Sequence, residues 1–387
     1  MKVACVTTYD AKDIRAFGGR TYHMIRELDR QLESFEYIGP LKKPKFQALL
    51  FKGKNAFYKT LRKRYSFSRD TLLIKDYARQ IAQSLSNLDV DIVFSPTTPG
   101  SQPIAYLECK QPIVIWADST FAGLVESYPD FSKSYLCQET LRDGIANEKA
   151  ALNRCSLAIY WSQWSAQTAI DNYQIDPAKV KVVPVGAELD CDRTFDDIKT
   201  LLELRPTDKC KLLFLGMDWE RKGGDIAFQV ANKLNQSSLK TELTVVGCQP
   251  TFKEPLPNFI KVLGYISKST KEGLDKINKL FAESHFLIVP SKAEAMGIVF
   301  CEASSFGVPS LATNVGGIPT VVRDGLNGKT FAIDASIDEY CTYITHLFSD
   351  YSQYKNLALS SFKEYQSRLN RSVAAQTVKK LMMELIA

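Results

Sequence analysis

Two glutamates, Glu294 and Glu302, flank the part of the chain whose residue types best suit binding of a phosphorylated ligand. Glu294 lies in a predicted loop after an apolar strand, and Gly297 leads from that loop into a helix that carries Glu302. The free amides of Gly297, Ile298 and Val299 suit a phosphate, because they and the positive end of the helix dipole point towards it. Glu302 lies four residues beyond Ile298, about 6 Å along the helix axis. One ligand could therefore contact the amides with its diphosphate and Glu302 with its ribose.

Glu294 is placed at the end of a strand, where open α/β sheets bind ligands, and its carboxylate could accept hydrogen bonds from sugar hydroxyls. The alternative is that neither glutamate binds a ligand. Glu294 would be a solvated loop residue and Glu302 a residue on the helix surface. The residues around them favour the ligand-binding interpretation.

From residue 290 to residue 331 the chain resembles family 4 of the retaining glycosyltransferases, which have the GT-B architecture. The family signature is two glutamates with seven residues between them, and Glu294 and Glu302 have this spacing. The flanking residues that match are Pro290, Ser291, Gly297, Ala303, Gly307, Val308, Pro309, Gly316, Gly317, Ile318, Pro319, Asp324, Gly325 and Gly328. The resemblance implies an enzyme that takes a sugar from a nucleotide-sugar donor, with Glu294 near the sugar and Glu302 near the ribose.

The resemblance continues upstream, where the family places a strand, a glycine and, six residues later, a lysine that contacts the donor phosphates. Gly216 and Lys222 occupy these positions. The family usually has arginine directly after the glycine, whereas this chain has Met217, and Arg221 is the residue that could replace that cation. The alternative for Lys222 is an ordinary lysine at a helix start.

The first half of the chain matches the family in outline. Gly18 and Gly19 follow the first strand, as in the family's glycine-rich first loop, where glycine lets the backbone approach a ligand. They lack the GxGxxG spacing of a dinucleotide-binding loop, which argues against a dehydrogenase. Asp118 stands where the family commonly has a histidine that contacts the donor sugar. Asp118 either makes that contact through its carboxylate or carbonyl, or the sugar is positioned differently.

Ser162 follows a predicted strand and resembles a serine of the family. It suits the N-cap of the next helix equally well.

Short apolar, β-branched runs alternate with segments of helical periodicity, which predicts parallel sheets wrapped by helices. The pattern restarts at Lys211, so we predict an α/β protein of GT-B architecture, with two Rossmann-like, doubly wound domains facing each other across a cleft. The predicted ranges are 1–186 for an acceptor-side domain, 187–365 for a nucleotide-sugar-binding domain and 366–387 for a C-terminal helix that packs back on the first domain. The predicted strands are 2–7, 91–95, 112–116, 157–161, 180–185, 211–216, 241–247, 258–263, 285–290 and 308–312.

Composition excludes several classes of protein. Hydrophobic residues make up 45% and charged residues 24% of the 387 residues, as in globular proteins rather than disordered or fibrous ones. Nine scattered cysteines without a CxxC pair predict reduced thiols and no structural metal site. No signal peptide or membrane span is evident, so we expect a cytoplasmic protein. A further expectation is peripheral attachment to the inner face of the membrane.

The pattern Asp89-Val90-Asp91 resembles the DxD metal site of glycosyltransferases with a different architecture. It precedes a strand rather than following one, so we expect it to be a solvated turn away from the ligand-binding edge of the sheet. We therefore expect metal-independent transfer with no cofactor, the diphosphate being neutralised by Lys222 and by helix amides.

Positive charge is concentrated in residues 41–75, which hold eleven Lys or Arg and one acidic residue, whereas the whole chain carries +6. No nucleic-acid-binding motif accompanies this charge, so nucleic acid is not an expected partner. The segment suits an anionic membrane surface, and the alternative is an amphipathic helix that packs on the core of the first domain. The apolar residues at helical spacing are Leu50, Phe57, Tyr58, Leu61 and Tyr65.

The sequence thus predicts an enzyme that moves a sugar from a nucleotide-sugar donor to a hydroxyl of a saccharide or lipid-linked acceptor, in polysaccharide, lipopolysaccharide or glycolipid synthesis. Retention of the anomeric configuration is implied by the resemblance, as are catalytic roles for Glu294, Asp118 and Lys222. Two alternatives stay open. One is an enzyme of the same fold with different chemistry, such as a nucleotide-sugar 2-epimerase, and the other is a non-catalytic partner subunit.

Overall fold

The computed structural model describes residues 1–14, 19–96, 102–237, 239–251 and 256–387. These residues form two compact units. The first comprises Met1–Pro184 together with Ala374–Ala387, and the second comprises Val185–Val373. The predicted domain ranges remain predictions, because compactness alone does not show that a unit folds independently.

The first unit contains a parallel sheet in the order β2-β1-β3-β4-β5-β6. Its strands are β1 (Lys2–Val6), β2 (Ser34–Ile38), β3 (Ile92–Pro96), β4 (Ile113–Ala117), β5 (Leu157–Tyr160) and β6 (Val180–Val182). Its helices are α1 (Arg20–Asp29), α2 (Lys45–Thr60), α3 (Thr71–Leu85), α4 (Phe121–Ser127), α5 (Gln138–Arg154) and α6 (Gln163–Tyr173), with 3₁₀ helices at Phe67–Arg69, Gln102–Tyr106, Pro129–Phe131 and Pro177–Lys179.

The second unit contains a parallel sheet in the order β12-β11-β10-β7-β8-β9. Its strands are β7 (Cys210–Leu215), β8 (Thr241–Val246), β9 (Ile260–Val262), β10 (Phe286–Val289), β11 (Ser310–Thr313) and β12 (Gly328–Phe331). Its helices are α7 (Phe195–Leu204), α8 (Gly224–Gln236), α9 (Lys271–Glu283), α10 (Ile298–Ser304), α11 (Ile318–Val321), α12 (Ile337–Ser349) and α13 (Tyr351–Glu364), followed by a π-helical turn at Tyr365–Leu369 and by α14 (Arg371–Ile386), which continues into the first unit.

The central strands of both sheets are buried along their whole length, as expected of parallel strands covered by helices on two faces. In the first unit this holds for β3, β4 and β5, and in the second for β10 and β11. Side chains of these strands and of the covering helices form the cores. The predicted α/β class with two doubly wound parallel sheets is confirmed.

Two strands, β2 and β12, were not predicted from the sequence. Both are edge strands, and each contains partly exposed positions, so neither presents the continuous apolar run that marks a buried parallel strand. Each of the ten predicted strands has a counterpart among the described residues. Among those residues, no helix has the length and apolar character needed to cross a membrane.

His285, directly before β10, is a core residue of the second unit. It is fully buried, its Nδ1 accepts a hydrogen bond from the Lys211 amide at 3.0 Å, and its Nε2 lies 2.9 Å from the Pro206 carbonyl oxygen. Burial, and then the nearby Arg205 guanidinium, lower the pKa of His285 from 6.5 to about 3. The imidazole is therefore neutral in the folded protein at neutral pH.

We expect this histidine to make the protein less stable in mild acid. Because the folded-state pKa lies below the unfolded-state value, the unfolded chain takes up a proton first as the pH falls below about 6.5, and stability declines from there towards pH 3. Melting temperatures measured between about pH 7 and about pH 5 test this. His285→Gln should melt lower at neutral pH but lose less on acidification than the wild type; equal slopes would contradict the assignment.

Candidate functional site

Glu294 lies in the loop that follows β10, and the backbone of a second loop holds it in place. The amide of Gly317 donates to the Glu294 carbonyl at 2.9 Å. Gly316 has φ +53°, and a Cβ at this position would lie 2.1 Å from the same carbonyl oxygen. Only glycine fits so close to the Glu294 backbone, which explains why the Gly316-Gly317 pair accompanies the glutamate.

Lys222 and Arg221 lie in the segment between β7 and α8, which is joined to the Glu294 loop. The amide of Lys292 donates to the Arg221 carbonyl at 2.7 Å, and Nη1 of Arg221 donates to the Ala293 carbonyl at 2.9 Å. These two bonds run in opposite directions between the loops. They fix the basic residues beside Glu294.

The closest polar contact at this place is the ion pair of Lys222 with Glu294. Nζ of Lys222 donates a hydrogen bond to Oε2 of Glu294, and the two side chains are only 13% and 12% exposed. Nη1 of Arg221 lies 4.0 Å from the same oxygen. Nε of Arg221 also lies 3.4 Å from Oδ2 of Asp218, so two carboxylates balance the two cations. Two adjacent basic side chains suit the phosphate groups of a ligand, which form strong charge-assisted hydrogen bonds with them.

Two glycines let the chain pack closely around Lys222. Gly223 has φ +75°, and a Cβ there would lie 2.1 Å from the Pro290 carbonyl oxygen. A Cβ on Gly216, the residue after β7, would lie 2.9 Å from Cγ of Lys222. The predicted binding residues Gly216, Arg221, Lys222 and Glu294 are thus in one cluster.

Gly297 starts α10 in the predicted way. It adopts φ +85° as the N-cap, and no side chain caps the helix that begins at Ile298. A Cβ on Gly297 would lie 2.5 Å from the Phe300 ring and 3.3 Å from Cγ of Glu294. The amides of Ile298 and Val299, in the first turn of this helix, are therefore next to the Glu294 loop.

Glu302 is buried in α10 rather than exposed on its surface, and its exposed fraction is 0%. Its Oε1 accepts a hydrogen bond from Nζ of Lys268 at 2.5 Å. Its Oε2 is buried and, within the described residues, has no hydrogen-bond partner. A buried carboxylate oxygen without a partner is costly, and a hydrogen-bond donor from a ligand would relieve that cost.

Lys268 was not among the predicted site residues. It lies in the turn between β9 and α9, and its Nζ is also 3.8 Å from Oε2 of Glu188. Burial lowers the pKa of Lys268, but the charges of Glu302 and Glu188 outweigh burial and raise it above the ordinary value. Nothing in the local sequence marks this lysine, because the contact joins positions 34 residues apart.

The other predicted site residues belong to the first unit. Gly19 is the N-cap of α1 with φ +86°, while Gly18 lies outside the described residues. Asp118 follows β4; its carbonyl accepts from Oγ of Ser165 at 2.7 Å, and its Oδ1 accepts from Oγ of Ser119 at 3.3 Å. Ser162 is the N-cap of α6, which is the alternative that the sequence left open.

The DxD pattern contacts the start of β1. Oδ2 of Asp89 accepts from Nζ of Lys2, and Oδ2 of Asp91 accepts from the Lys2 amide, both at 2.7 Å. These contacts tie the turn to the amino end of a strand. Among the residues that the structure describes, no group of three or more His, Cys, Asp or Glu is placed to hold a metal ion.

Solved structures of the same architecture match nearly the whole chain. They include sucrose-phosphate synthase from Thermosynechococcus elongatus, with a TM-score of 0.70, 14% identity and coverage of 99% of this chain and 98% of that one. A glycosyltransferase from Rickettsia africae matches with a TM-score of 0.63 and 16% identity, over 99% of this chain and 98% of that one. Alr3699/HepE from Anabaena matches with a TM-score of 0.62 and 17% identity, over 99% of each chain. At these identities the likeness shows the fold alone, and it confirms the predicted GT-B fold.

Curated relatives match less than half of the chain. Over 180 residues the chain is 29% identical to D-inositol 3-phosphate glycosyltransferase from Acidothermus cellulolyticus, and over 171 residues it is 30% identical to the protein of that name from Mycolicibacterium paratuberculosis. Each match covers 43% of this chain, and the chain spans 40% and 39% of the length of the two relatives.

A family match has defined bounds in the second unit. Residues 209–350 match the family described as glycosyl transferases group 1. Lys222, Glu294, Gly297 and Glu302 all lie within this range, as the resemblance predicted. The predicted resemblance to the group 1 glycosyltransferases is confirmed over residues 209–350.

Proposed function

We propose that the protein transfers a sugar from a nucleotide-diphosphate sugar to an acceptor hydroxyl, and that the second unit binds the donor. The observation that carries this proposal is the largely buried ion pair of Lys222 with Glu294. In the absence of ligand the two side chains satisfy each other. A donor would exchange both contacts, its diphosphate taking Lys222 and its sugar hydroxyls taking Glu294.

We propose that the rest of the donor contacts α10. The amides at the start of α10 suit the diphosphate, and the free Oε2 of Glu302 suits a ribose hydroxyl. Arg221, 4.0 Å from the Glu294 carboxylate, would add positive charge in place of the arginine that Met217 replaces. Lys222, Arg221 and the amides would stabilise the charge that develops on the departing diphosphate, without a metal ion.

The bond between the anomeric carbon and the β-phosphate oxygen would break as the bond to the acceptor oxygen forms. The β-phosphate oxygen would take the acceptor's proton, and the anomeric configuration would be retained. This step needs no Ser-His-Asp arrangement. The solved structure of Alr3699/HepE from Anabaena is a complex with UDP and glucose, which supports a donor of this class.

The first unit would bind the acceptor, and Asp118 and Gly19 are its candidate contacts. We propose a saccharide or lipid-linked acceptor. Curated relatives are named for an inositol phosphate acceptor, and another similar structure, WaaG, is described as a glycosyltransferase of lipopolysaccharide biosynthesis. These names belong to those proteins and support only the broad class of hydroxyl-bearing acceptor.

Replacing Glu302 by alanine should mainly affect nucleotide affinity, and replacing Glu294 by alanine should mainly affect turnover. Glu302→Ala should weaken nucleotide affinity by about 10- to 100-fold, because it removes hydrogen bonds to a charged acceptor. Glu294→Ala should mainly lower turnover, because its contacts are with the reacting sugar. Steady-state kinetics with a nucleotide-sugar donor, together with nucleotide titrations, separate the two effects.

Glu283→Ala is a matched control, since that glutamate is 45% exposed and pairs with Lys211 on the surface. It should leave both turnover and affinity unchanged. Full activity of both Glu294→Ala and Glu302→Ala would show that this cluster is not the donor site. Consumption of donor without an acceptor would instead favour the epimerase alternative.

Helix α2 supports a further proposal, attachment to an anionic membrane surface. Its inward residue Phe51 is buried, while Leu49, Phe57 and Leu61 are 72%, 58% and 54% exposed. Exposed Lys52, Lys59, Arg62 and Arg64 accompany them, and basic residues near an anionic surface contribute about 1 kcal/mol each.

Part of the predicted apolar face is wrong. Tyr65 lies beyond the end of α2 and is buried, because its ring packs in a core cluster with Phe51 and Leu73. Its hydroxyl donates to Asp70 at 2.5 Å. Tyr58 is half-buried, and its hydroxyl donates to Glu139 at 3.1 Å. Leu50, Phe57 and Leu61 of the predicted set remain exposed.

We expect the protein to float with vesicles that contain phosphatidylglycerol and not with vesicles of phosphatidylcholine alone. The double variant Leu49→Ser, Phe57→Ser should float less while keeping its melting temperature, because both side chains are exposed. Leu204→Ser, at a 75% exposed position outside this helix, is the matched control. Absence of flotation with anionic vesicles would contradict membrane attachment.

A further inference from the structure

Lys268 is the cation that contacts Glu302, and the structure holds it firmly. The turn that carries it is closed by Oγ1 of Thr270, which donates to the Ser267 carbonyl at 3.3 Å and accepts from the Gly273 amide at 3.2 Å. A Cβ on Gly273 would lie 2.0 Å from the Ser267 carbonyl oxygen, so the start of α9 packs directly against this turn. The position of Lys268 is therefore set by the backbone around it.

The contact divides the two oxygens of Glu302. Oε1 is bonded to Lys268 at 2.5 Å, while Oε2 has no hydrogen-bond partner in the described part of the chain. Because the two oxygens of a carboxylate are equivalent, what the lysine fixes is the direction of the carboxylate, with one oxygen engaged and the other left to accept a hydrogen bond.

The charges of the cluster also depend on Lys268. Its Nζ lies 2.5 Å from Glu302 and 3.8 Å from Glu188, so one ammonium group serves two carboxylates. Without it, Glu302 would lose the hydrogen bond that holds its carboxylate, and its free oxygen would no longer be held in one place.

We propose that Lys268 is a positioning residue for donor binding: it holds Oε1 of Glu302 so that Oε2 accepts a hydrogen bond from the ribose 2′-hydroxyl of the nucleotide. This rests on the proposed function, in which Glu302 binds the ribose. Lys268 acts through Glu302 and does not itself contact the reacting sugar. Its effect is therefore on selection of ribonucleotides.

The test compares ribonucleotides with their 2′-deoxy analogues. UDP, GDP and ADP and the three 2′-deoxy forms are titrated against the wild type, Lys268→Met, Lys268→Arg and the control Lys271→Met. Lys271 is exposed and lies three residues further on. The ratio of the two affinities within one variant is insensitive to the fraction of folded protein.

We expect the wild type to prefer the ribonucleotide by about 10- to 100-fold, the effect of a hydrogen bond to a charged group. Lys268→Met should lose most of this preference by binding the ribonucleotide more weakly, with the deoxynucleotide unchanged. Lys268→Arg should recover part of it, and Lys271→Met should keep all of it.

The failures are distinguishable. If the wild type binds none of the six nucleotides, the proposed function is wrong, and the role of Lys268 falls with it. If the wild type binds with a ribose preference that Lys268→Met retains, or if Lys268→Met binds the ribonucleotide more tightly, the positioning role alone is wrong. A wild type that binds both forms equally also overturns it, because Glu302 then does not read the ribose.

Discussion

Replacing Lys222 by methionine should lower turnover by about 100- to 1000-fold, the usual effect of removing one group that stabilises transition-state charge. Methionine keeps the length and much of the apolar contact of the side chain, so the change isolates the ammonium group. In the proposed reaction, charge grows on the departing diphosphate, and Lys222 is the cation paired with Glu294 beside it. Nucleotide-diphosphate affinity should fall as well, because the ground state also carries this charge.

The control for this experiment is another lysine of the same unit that pairs with a carboxylate on the surface. Lys233 lies 2.6 Å from Asp338, and the two side chains are 44% and 70% exposed. Lys233→Met should leave turnover unchanged. Initial rates with saturating donor measure the effect, and a loss of less than about tenfold in Lys222→Met would remove Lys222 from the reaction.

Replacing Arg205 by methionine should give the largest loss of stability in the second unit. Arg205 is 2% exposed, and its guanidinium donates to the carbonyls of Ala282, Phe306 and Gly307 and to the hydroxyl of Tyr354 at 2.7 to 3.1 Å. Each buried carbonyl left unpaired costs about 1 to 3 kcal/mol. Relief from burying the charge offsets part of this, so we expect a net loss of about 3 kcal/mol.

Hydrogen exchange of the β7 amides measures this loss, because it reports the opening of the second unit separately from the first. Lys279→Met is the control, since Lys279 is 75% exposed and its pair with Glu283 is on the surface. That change should alter the free energy of opening by less than about 0.5 kcal/mol. An equally small effect of Arg205→Met would mean that water replaces its hydrogen bonds.

The sequence reveals the central strands most clearly, and of the edge strands it revealed β6 and β9 but not β2 and β12. Central strands such as β4 and β10 are buried on both faces and appear as continuous apolar runs. The edge strands β2 and β12 have partly exposed positions, and their sequences give no such run. Their pairing with β1 and β11 is a tertiary property.

The candidate site divides in a similar way. Glu294, Gly297 and Glu302 lie close together in sequence, and their spacing alone places them on one loop and helix. The contact between Lys268 and Glu302 joins two elements 34 residues apart and leaves no local pattern. The sequence also could not show that Glu302 is fully buried, since the helix that carries it has only seven residues.

The central claim is that the second unit binds a nucleotide-diphosphate sugar through Lys222 and Glu302. A thermal-shift screen against UDP, GDP, ADP and their common sugar conjugates tests it most directly, because a ligand at 100 times its Kd stabilises the folded protein by about 2.7 kcal/mol. We predict a clear rise in the melting temperature with one nucleotide family, reduced in Lys222→Met and Glu302→Ala and unchanged in Lys233→Met. No shift with any nucleotide, or an equal shift in all variants, would contradict the claim.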